Sequence, residues 1–154
     1  MDRCPHRLPG FKTTFVGVGV LHVLLGTSIL TRGVRESLAQ FAVPEVALNS
    51  PHYADAIFWV YSHQIVIGLA LILLGVYARG ARFKLAASRL FSVAHAYYTW
   101  LDFRASDSIV GTGLYHGRAS LVPAFIALVF TLAFLHLSFC SHTRQQDRDF
   151  ARQD

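Results

Sequence analysis

Four histidines lie within long apolar stretches of the sequence, where ionisable side chains are uncommon. They are His22, His63, His95 and His136. Imidazole changes its charge near neutral pH and is the commonest metal ligand in proteins, so each of them is a candidate for acid–base chemistry or metal binding. Because polar groups are costly in hydrocarbon, such side chains usually face the interior of a helix bundle. They then mark either a functional site or a hydrogen bond between helices.

The positions of His63 and His95 predict that these two side chains lie at one depth. His63 is seven residues into its apolar stretch, and His95 is seven residues before Asp102, near the end of the next stretch. A rise of 1.5 Å per residue places both about 10 Å below the same membrane surface. The same rise puts His22 about 15 Å and His136 about 22 Å below it. The sequence therefore favours His63 and His95 as a pair, and favours helix contacts for His22 and His136.

Helical spacing extends this pair into a predicted polar pocket. Asp102 lies only about 20° around the helix from His95, with other polar side chains in the same arc. On the preceding helix, His52, Trp59 and His63 share one stripe. If this stripe meets the polar face that carries His95, the two faces form a pocket that opens outward. The predicted catalytic group is His63, His95 and Asp102. The predicted lining residues are His52, Asp55, Trp59, Tyr98, Thr99, Arg104 and His116.

Three functions of different classes fit this set of residues. In the first, histidine and aspartate act as general acid and base on a lipophilic molecule, such as a quinone, an isoprenoid or a sterol-like ring. In the second, His63 and His95 ligate a b-type haem, or hold a metal ion together with Asp102. In the third, the polar residues specify helix partners, and the chain is a non-catalytic accessory or assembly subunit of a larger membrane complex. The sequence identifies no substrate and no cofactor, and it leaves these alternatives open.

The elements that must position these residues are four apolar stretches, each long enough to cross a bilayer as a helix. The third stretch is the most polar, so it is expected to pack inside the bundle. The sequence predicts an all-α membrane protein with one four-helix transmembrane domain over residues 1–154, two longer outer loops and a polar tail over 141–154. The predicted spans are about 14–31, 56–78, 85–103 and 121–140.

Basic residues predict the orientation of these spans. Of the 14 lysines and arginines, ten lie before the first span, after the fourth span, or at the short connection between the second and third spans. These three regions are on one side of the membrane, and the other four basic residues are on the opposite side. Because basic residues concentrate in cytoplasmic segments, both termini are expected in the cytoplasm. The first span is expected to be retained and not cleaved as a signal peptide. Cys4 and Cys140 would then face a reducing compartment and remain free thiols.

The composition supports a membrane protein over a nucleic-acid-binding protein. Hydrophobic residues make up 53% of the chain and charged residues 15%, which is a membrane composition. The net charge of +5 is explained by the basic residues beside the spans, so no nucleic-acid partner is expected. The expected partners are the lipid bilayer, a lipophilic small molecule, and a larger membrane complex or further copies of the chain. The expected location is a bacterial-type plasma or inner membrane, as a multi-pass protein.

The first outer loop carries two local signals. A short amphipathic helix is predicted around 34–42, ended by Pro44. In Ser50-Pro51, a serine suited to cap a helix precedes a proline suited to its first position. The second long helix is therefore predicted to begin before its apolar stretch does.

Overall fold

The fold is that of a computed structural model, which describes residues 10–41, 43–106 and 120–139. Every regular element within these ranges is helical, and no strand occurs in them. The long helices are α1 (Phe11–Arg32), α4 (Pro51–Tyr77), α5 (Ala81–Ser106) and α6 (Val122–Phe139). The connection from α1 to α4 contains three short helices, namely α2 (Val34–Leu38), a 3₁₀ helix (Ala39–Phe41) and α3 (Glu45–Leu48).

Three of the described helices, α1, α4 and α6, are long and apolar enough to cross a membrane. This confirms an all-helical chain that has the properties of a membrane protein. Helix α5 has 26 residues, which at 1.5 Å per residue is ample length for a bilayer. Its charged and polar side chains keep its hydropathy below that of the other three.

Helices α1 and α4 pack closely along a seam of glycines. Gly19 and Gly26 on α1, like Gly68 and Gly75 on α4, have a spacing of seven residues, which keeps each pair on one helix face. A Cβ atom added at any of these four glycines would clash with the other helix. A Cβ atom built on Gly19 would lie 2.6 Å from the carbonyl oxygen of Gly68. The two backbones therefore approach to a distance that only glycine permits.

Helix α5 packs along α6, and an apolar core joins this pair to α1 and α4. At its centre the ring of Phe15 on α1 meets the ring of Phe134 on α6 edge to face, with centroids 5.0 Å apart. Since Phe15 is near the start of α1 and Phe134 near the end of α6, those two helix ends lie at the same end of the bundle. The buried members of this core are Phe15, Val18, Leu71, Ala87, Phe130, Phe134 and Leu137.

The segment between α1 and α4 folds back on the opposite end of the bundle. Leu38 is fully buried there in a second apolar cluster with Val34, Val43 and Ile57. Outside this cluster the Arg35 guanidinium donates to a Glu45 carboxylate oxygen at 2.8 Å and to the Asn49 side chain at 2.7 Å.

The local signals in this connection are confirmed. Helix α2 and the 3₁₀ helix occupy the predicted position before Pro44. The Ser50 hydroxyl accepts a hydrogen bond from the Tyr53 backbone N–H, and Pro51 is the first residue of α4. The capping serine and the proline thus start α4 five residues before its predicted apolar stretch at Ala56.

Candidate functional site

Helix α5 carries a stripe of polar side chains that faces the interior of the bundle. Ser88, Ser92, His95 and Thr99 are all buried. Their spacing of four, three and four residues places them on one face of a helix. The polarity of α5 is therefore directed inward, toward α1 and α6, and it brings candidate chemical groups into the core.

The central feature of this stripe is a hydrogen bond between two histidines. The Nε2 atom of His95 lies 3.1 Å from the Nε2 atom of His22 on α1. The ring centroids are 5.4 Å apart and the rings are nearly perpendicular. Both residues are enclosed, with 2% of His95 and 7% of His22 exposed. The bond links the α1/α4 pair to the α5/α6 pair in the middle of the bundle.

Aromatic rings surround the two imidazoles. Phe130 on α6 contacts both, with centroid distances of 5.5 Å to His22 and 5.7 Å to His95. Phe134 lies 5.0 Å from the His95 ring, and the Phe91 carbonyl accepts a hydrogen bond from His95 Nδ1 at 2.8 Å. Both nitrogens of His95 are therefore engaged, and apolar rings fill much of the space beside it.

A second polar contact joins α5 to α6 one turn further along. The hydroxyl of Thr99 lies 3.2 Å from the hydroxyl of Thr131, and either group can be the donor. Each hydroxyl also lies 2.8 Å from a backbone carbonyl of its own helix, that of His95 for Thr99 and that of Ala127 for Thr131. Thr99 was predicted to line a pocket, and the structure places it in a helix contact.

Asp102 lies near the C-terminal end of the same face of α5. Its side chain is partly buried and lies within electrostatic range of the Tyr61 phenol on α4. Arg104, predicted as a lining residue, is exposed and lies over the Trp100 ring at 5.4 Å. Tyr98 is partly exposed and meets the His95 ring edge to face at 6.0 Å.

The predicted pocket face of α4 requires a correction, because the structure turns it outward. His52, Asp55, Trp59 and His63 are all exposed, and Trp59 has 69% of its surface accessible. The Nδ1 atom of His63 bonds the carbonyl of Trp59 at 2.8 Å, and the two rings stack. The structure therefore does not bring His63 to His95. The chemical roles assigned to these four residues stay predictions, and the shared pocket that would have united them is not formed.

The physical reason lies in which stripe of α4 packs best. The interior face of α4 is set by Ile57, Gly68, Leu71 and Gly75, because the glycines let α1 approach and the leucine fills the core. His63 lies on another side of the helix. His52, Trp59 and His63 do share one exposed face of α4. The small residues, however, decide which face of the helix is inside.

Depth also changes with the observed helix ends. Helix α5 continues to Ser106, so His95 lies eleven residues from its end, about 16 Å along the axis. His22 lies ten residues from the end of α1 at Arg32, about 15 Å. His22 and His95 are thus at matching depths. The predicted span ended at Phe103, three residues before the observed helix end, and this placed His95 too close to the membrane surface.

Two further candidates complete the set. His136 is half-buried near the C-terminal end of α6. His116 lies outside the described residues, as do Cys4 and Cys140. Within the described ranges no group of three or more histidine, cysteine, aspartate or glutamate side chains is arranged to hold a metal ion. Comparisons with protein-family models, with curated proteins and with solved structures find no match for this chain.

Proposed function

We propose that the chain is a four-span protein of a bacterial-type plasma or inner membrane, with α5 as a span in addition to α1, α4 and α6, and with both termini in the cytoplasm. The distribution of side chains on α5 supports this count. Its polar stripe is buried, while large apolar side chains cover the outside of the helix, and Val93 near its centre is 70% exposed. In a water-soluble bundle this arrangement would be inverted. The exposed apolar residues of α5 are Phe83, Leu90, Val93, Tyr97, Tyr98, Trp100 and Phe103.

The charges at the two ends of the bundle support the orientation. The start of α1 and the start of α5 meet where the Lys84 ammonium lies over the Phe11 ring at 5.7 Å from its centroid. Lys12, Arg79 and Arg82 belong to the same end. A cluster of basic residues at one end is typical of the cytoplasmic side. Arg89 is exposed further along α5, and a long side chain of this kind reaches toward the headgroups.

We further propose that the protein acts as a non-catalytic subunit that assembles with other membrane proteins or with copies of itself. The single observation that carries this proposal is the hydrogen bond between His22 and His95. A general acid or base must present a free ring nitrogen to its substrate. Both nitrogens of His95 are occupied by protein groups, and the one unused nitrogen of the pair, Nδ1 of His22, is buried in the bundle. The interior polar groups thus join helices, which is the commonest duty of such residues in membranes.

Native mass spectrometry of the protein in lipid nanodiscs or mild detergent tests this function. The proposal expects a species heavier than the 17.1 kDa chain by the mass of whole protein subunits. A monomer that retains a stoichiometric small molecule through purification would contradict it and would favour a ligand-binding protein. A bound haem would be recognised by its mass and by a Soret absorbance band.

Haem ligation by the observed pair requires a rearrangement. A metal ion between two imidazoles lies about 2.0–2.1 Å from each nitrogen, so the two Nε2 atoms must be about 4 Å apart. Here they are 3.1 Å apart, and Phe130 and Phe134 pack beside them. The helices and the aromatic rings would both have to move to admit a porphyrin.

A second candidate function is the binding or conversion of a lipophilic molecule at the outer end of the bundle. It is favoured by Asp102, a carboxyl group that is partly buried near the C-terminal end of α5, where Tyr61 of α4 lies within electrostatic range. A ligand entering from the membrane would meet these side chains before it met the histidine pair.

The substitution Asp102→Asn distinguishes this candidate from the first. It keeps the size of the side chain and removes its charge. If Asp102 serves a ligand, binding of a quinone or isoprenoid probe is lost while the thermal unfolding temperature in detergent stays within a few degrees. If Asp102 serves the bundle, stability falls by about 1–3 kcal/mol. Unchanged stability together with unchanged probe binding would contradict the ligand function and leave the assembly function standing.

A further inference from the structure

The partners of His95 determine where the protons of the histidine pair lie. A backbone carbonyl can only accept a hydrogen bond, so the Nδ1 atom of His95 must carry the hydrogen that bonds Phe91. A neutral imidazole has one N–H group. The Nε2 atom of His95 is therefore an acceptor, and the hydrogen in the bond between the two rings belongs to His22 Nε2.

This placement of the two hydrogens leaves one ring nitrogen of the histidine pair without a hydrogen bond. With its hydrogen on Nε2, His22 has a bare lone pair on Nδ1. This atom is buried and has no hydrogen-bond partner in the part of the chain that the structure describes. Buried polar atoms without partners are rare, and each calls for a physical explanation.

We propose that Nδ1 of His22 is a proton-binding site, and that His95 holds the imidazolium that forms there. The proton binds the free lone pair and no existing bond breaks. His22 Nε2–H continues to donate to His95 Nε2, and His95 Nδ1–H continues to donate to the Phe91 carbonyl. The bond between the rings becomes charge-assisted and therefore stronger. The link between the two helix pairs would tighten when the protein takes up this proton.

The geometry also sets an order for further protonation. His95 has no free lone pair, because its Nε2 lone pair accepts from His22. A proton could enter His95 only after the bond between the rings had opened, and two imidazolium N–H groups cannot face each other at 3.1 Å. The pair therefore accepts one proton, at His22, and a second proton separates the rings.

The charges around the pair are few. Helix α1 has no ionisable residue between Lys12 and Arg32 other than His22. On α5, Tyr98 touches the His95 ring. Asp102 lies seven residues after His95, about 10 Å along the helix axis. Helix α4 contributes Tyr61, and His136 is the one ionisable residue of α6. Asp102, when ionised, is the carboxylate placed to favour a positive charge on the pair.

Solid-state NMR of the ¹⁵N-histidine-labelled wild-type protein in lipid bilayers tests this assignment. At neutral pH the signals of His22 Nε2 and His95 Nδ1 should have protonated-type shifts. Those of His22 Nδ1 and His95 Nε2 should have unprotonated-type shifts. On acidification the first change within the pair should be conversion of His22 Nδ1 to the protonated type. The variants His52→Gln and His63→Gln, both at exposed positions, help assign the spectrum and should leave these four signals in place.

Three results would overturn the proposal. One is the opposite tautomer at neutral pH, with hydrogen on His22 Nδ1. Another is protonation of His95 Nε2 before His22 Nδ1. The third is the absence of any proton uptake by the pair at pH values down to that at which the bundle unfolds. The measurement uses the intact protein, so none of these outcomes depends on whether a variant folds.

Discussion

At the scale of single residues, the bond between His22 and His95 is the best-defined interaction of the bundle. It is a neutral hydrogen bond between two enclosed rings, flanked by Phe130 and Phe134. Hydrogen bonds between membrane helices contribute about 0.6 kcal/mol on average and reach about 1.7 kcal/mol. Because the unfolded helices would leave both imidazoles in hydrocarbon or at its edge, we expect this pair to lie near the upper value.

A double-mutant cycle with His22→Phe and His95→Phe measures this bond. Each single substitution should destabilise the bundle by about 1–3 kcal/mol, because the remaining imidazole loses its partner. The double variant should lose less than the sum of the two, with a coupling energy of about 1–2 kcal/mol. His63→Phe is the matched control, since that ring is exposed and bonds only within its own helix, and it should change stability by less than about 0.5 kcal/mol. Additive single and double variants would contradict a bond between the two rings.

The residues of the candidate site were predicted from the sequence only in part. His95, Thr99 and Asp102 were placed correctly on one inward face of α5, because spacing along a helix fixes the face. The partner of His95 was missed, since it depends on which helices are neighbours and on where α5 ends. The depth of His22 and the glycines beside it were the available signals. When α5 is extended to Ser106, His95 and His22 have the same depth, and this indicates a contact between α5 and α1 at these two residues.

At the scale of helices, two devices hold the bundle together, namely a glycine seam and an inward polar stripe. The seam between α1 and α4 brings backbones together where hydrophobic driving force between lipid-covered helices is weak. The stripe on α5 supplies hydrogen bonds to α1 and α6. Each device leaves the outside of its helix free to carry large apolar side chains.

Substitution of single glycines tests the seam. The Cβ atom introduced by Gly19→Ala would lie 2.6 Å from the Gly68 carbonyl oxygen and 2.8 Å from a side-chain carbon of Ile72. The helices must separate to admit it, so we expect a loss of about 1–3 kcal/mol. Gly17→Ala is the control, because nothing lies within 4 Å of its Cβ position. It should stabilise α1 by about 0.5–1 kcal/mol. Equal effects of the two substitutions in unfolding experiments would contradict the observed packing.

The apolar outside of α5 can be tested with a charge. Val93 lies near the middle of this helix and is 70% exposed. If α5 is a span, as proposed, Val93→Lys places an ammonium among lipid tails. On the membrane-insertion scale this costs about 2.5–3.5 kcal/mol. In a translocon insertion assay we expect a marked fall in the inserted fraction of α5. Phe83→Lys, at the basic inner end of the same exposed face, should insert almost as well as the native helix. Equal insertion of both variants would show that Val93 faces water.

At the scale of the whole molecule, four antiparallel helices place the start of α1, the end of α4, the start of α5 and the end of α6 at one end of the bundle. Hydrophobic stretches predicted the long helices within a few residues, because length and apolar content are read directly from the chain. The sequence could not determine how the helices pair or which side of α4 is buried. Those features follow from glycines at 19, 26, 68 and 75 acting together, which only the packed structure reveals.

The most direct test of the four-span arrangement is cysteine labelling from outside intact cells. In a background with Cys4→Ser and Cys140→Ser, single cysteines are introduced by Asp2→Cys, Ala78→Cys, Thr112→Cys and Phe150→Cys. A membrane-impermeant maleimide should label only the Thr112→Cys variant, and the other three should react only after the cells are opened. Labelling of both the Ala78→Cys and the Thr112→Cys variant from outside, or labelling of just one of the two terminal positions, would contradict α5 as a membrane span. Labelling of every variant except Thr112→Cys would instead reverse the orientation.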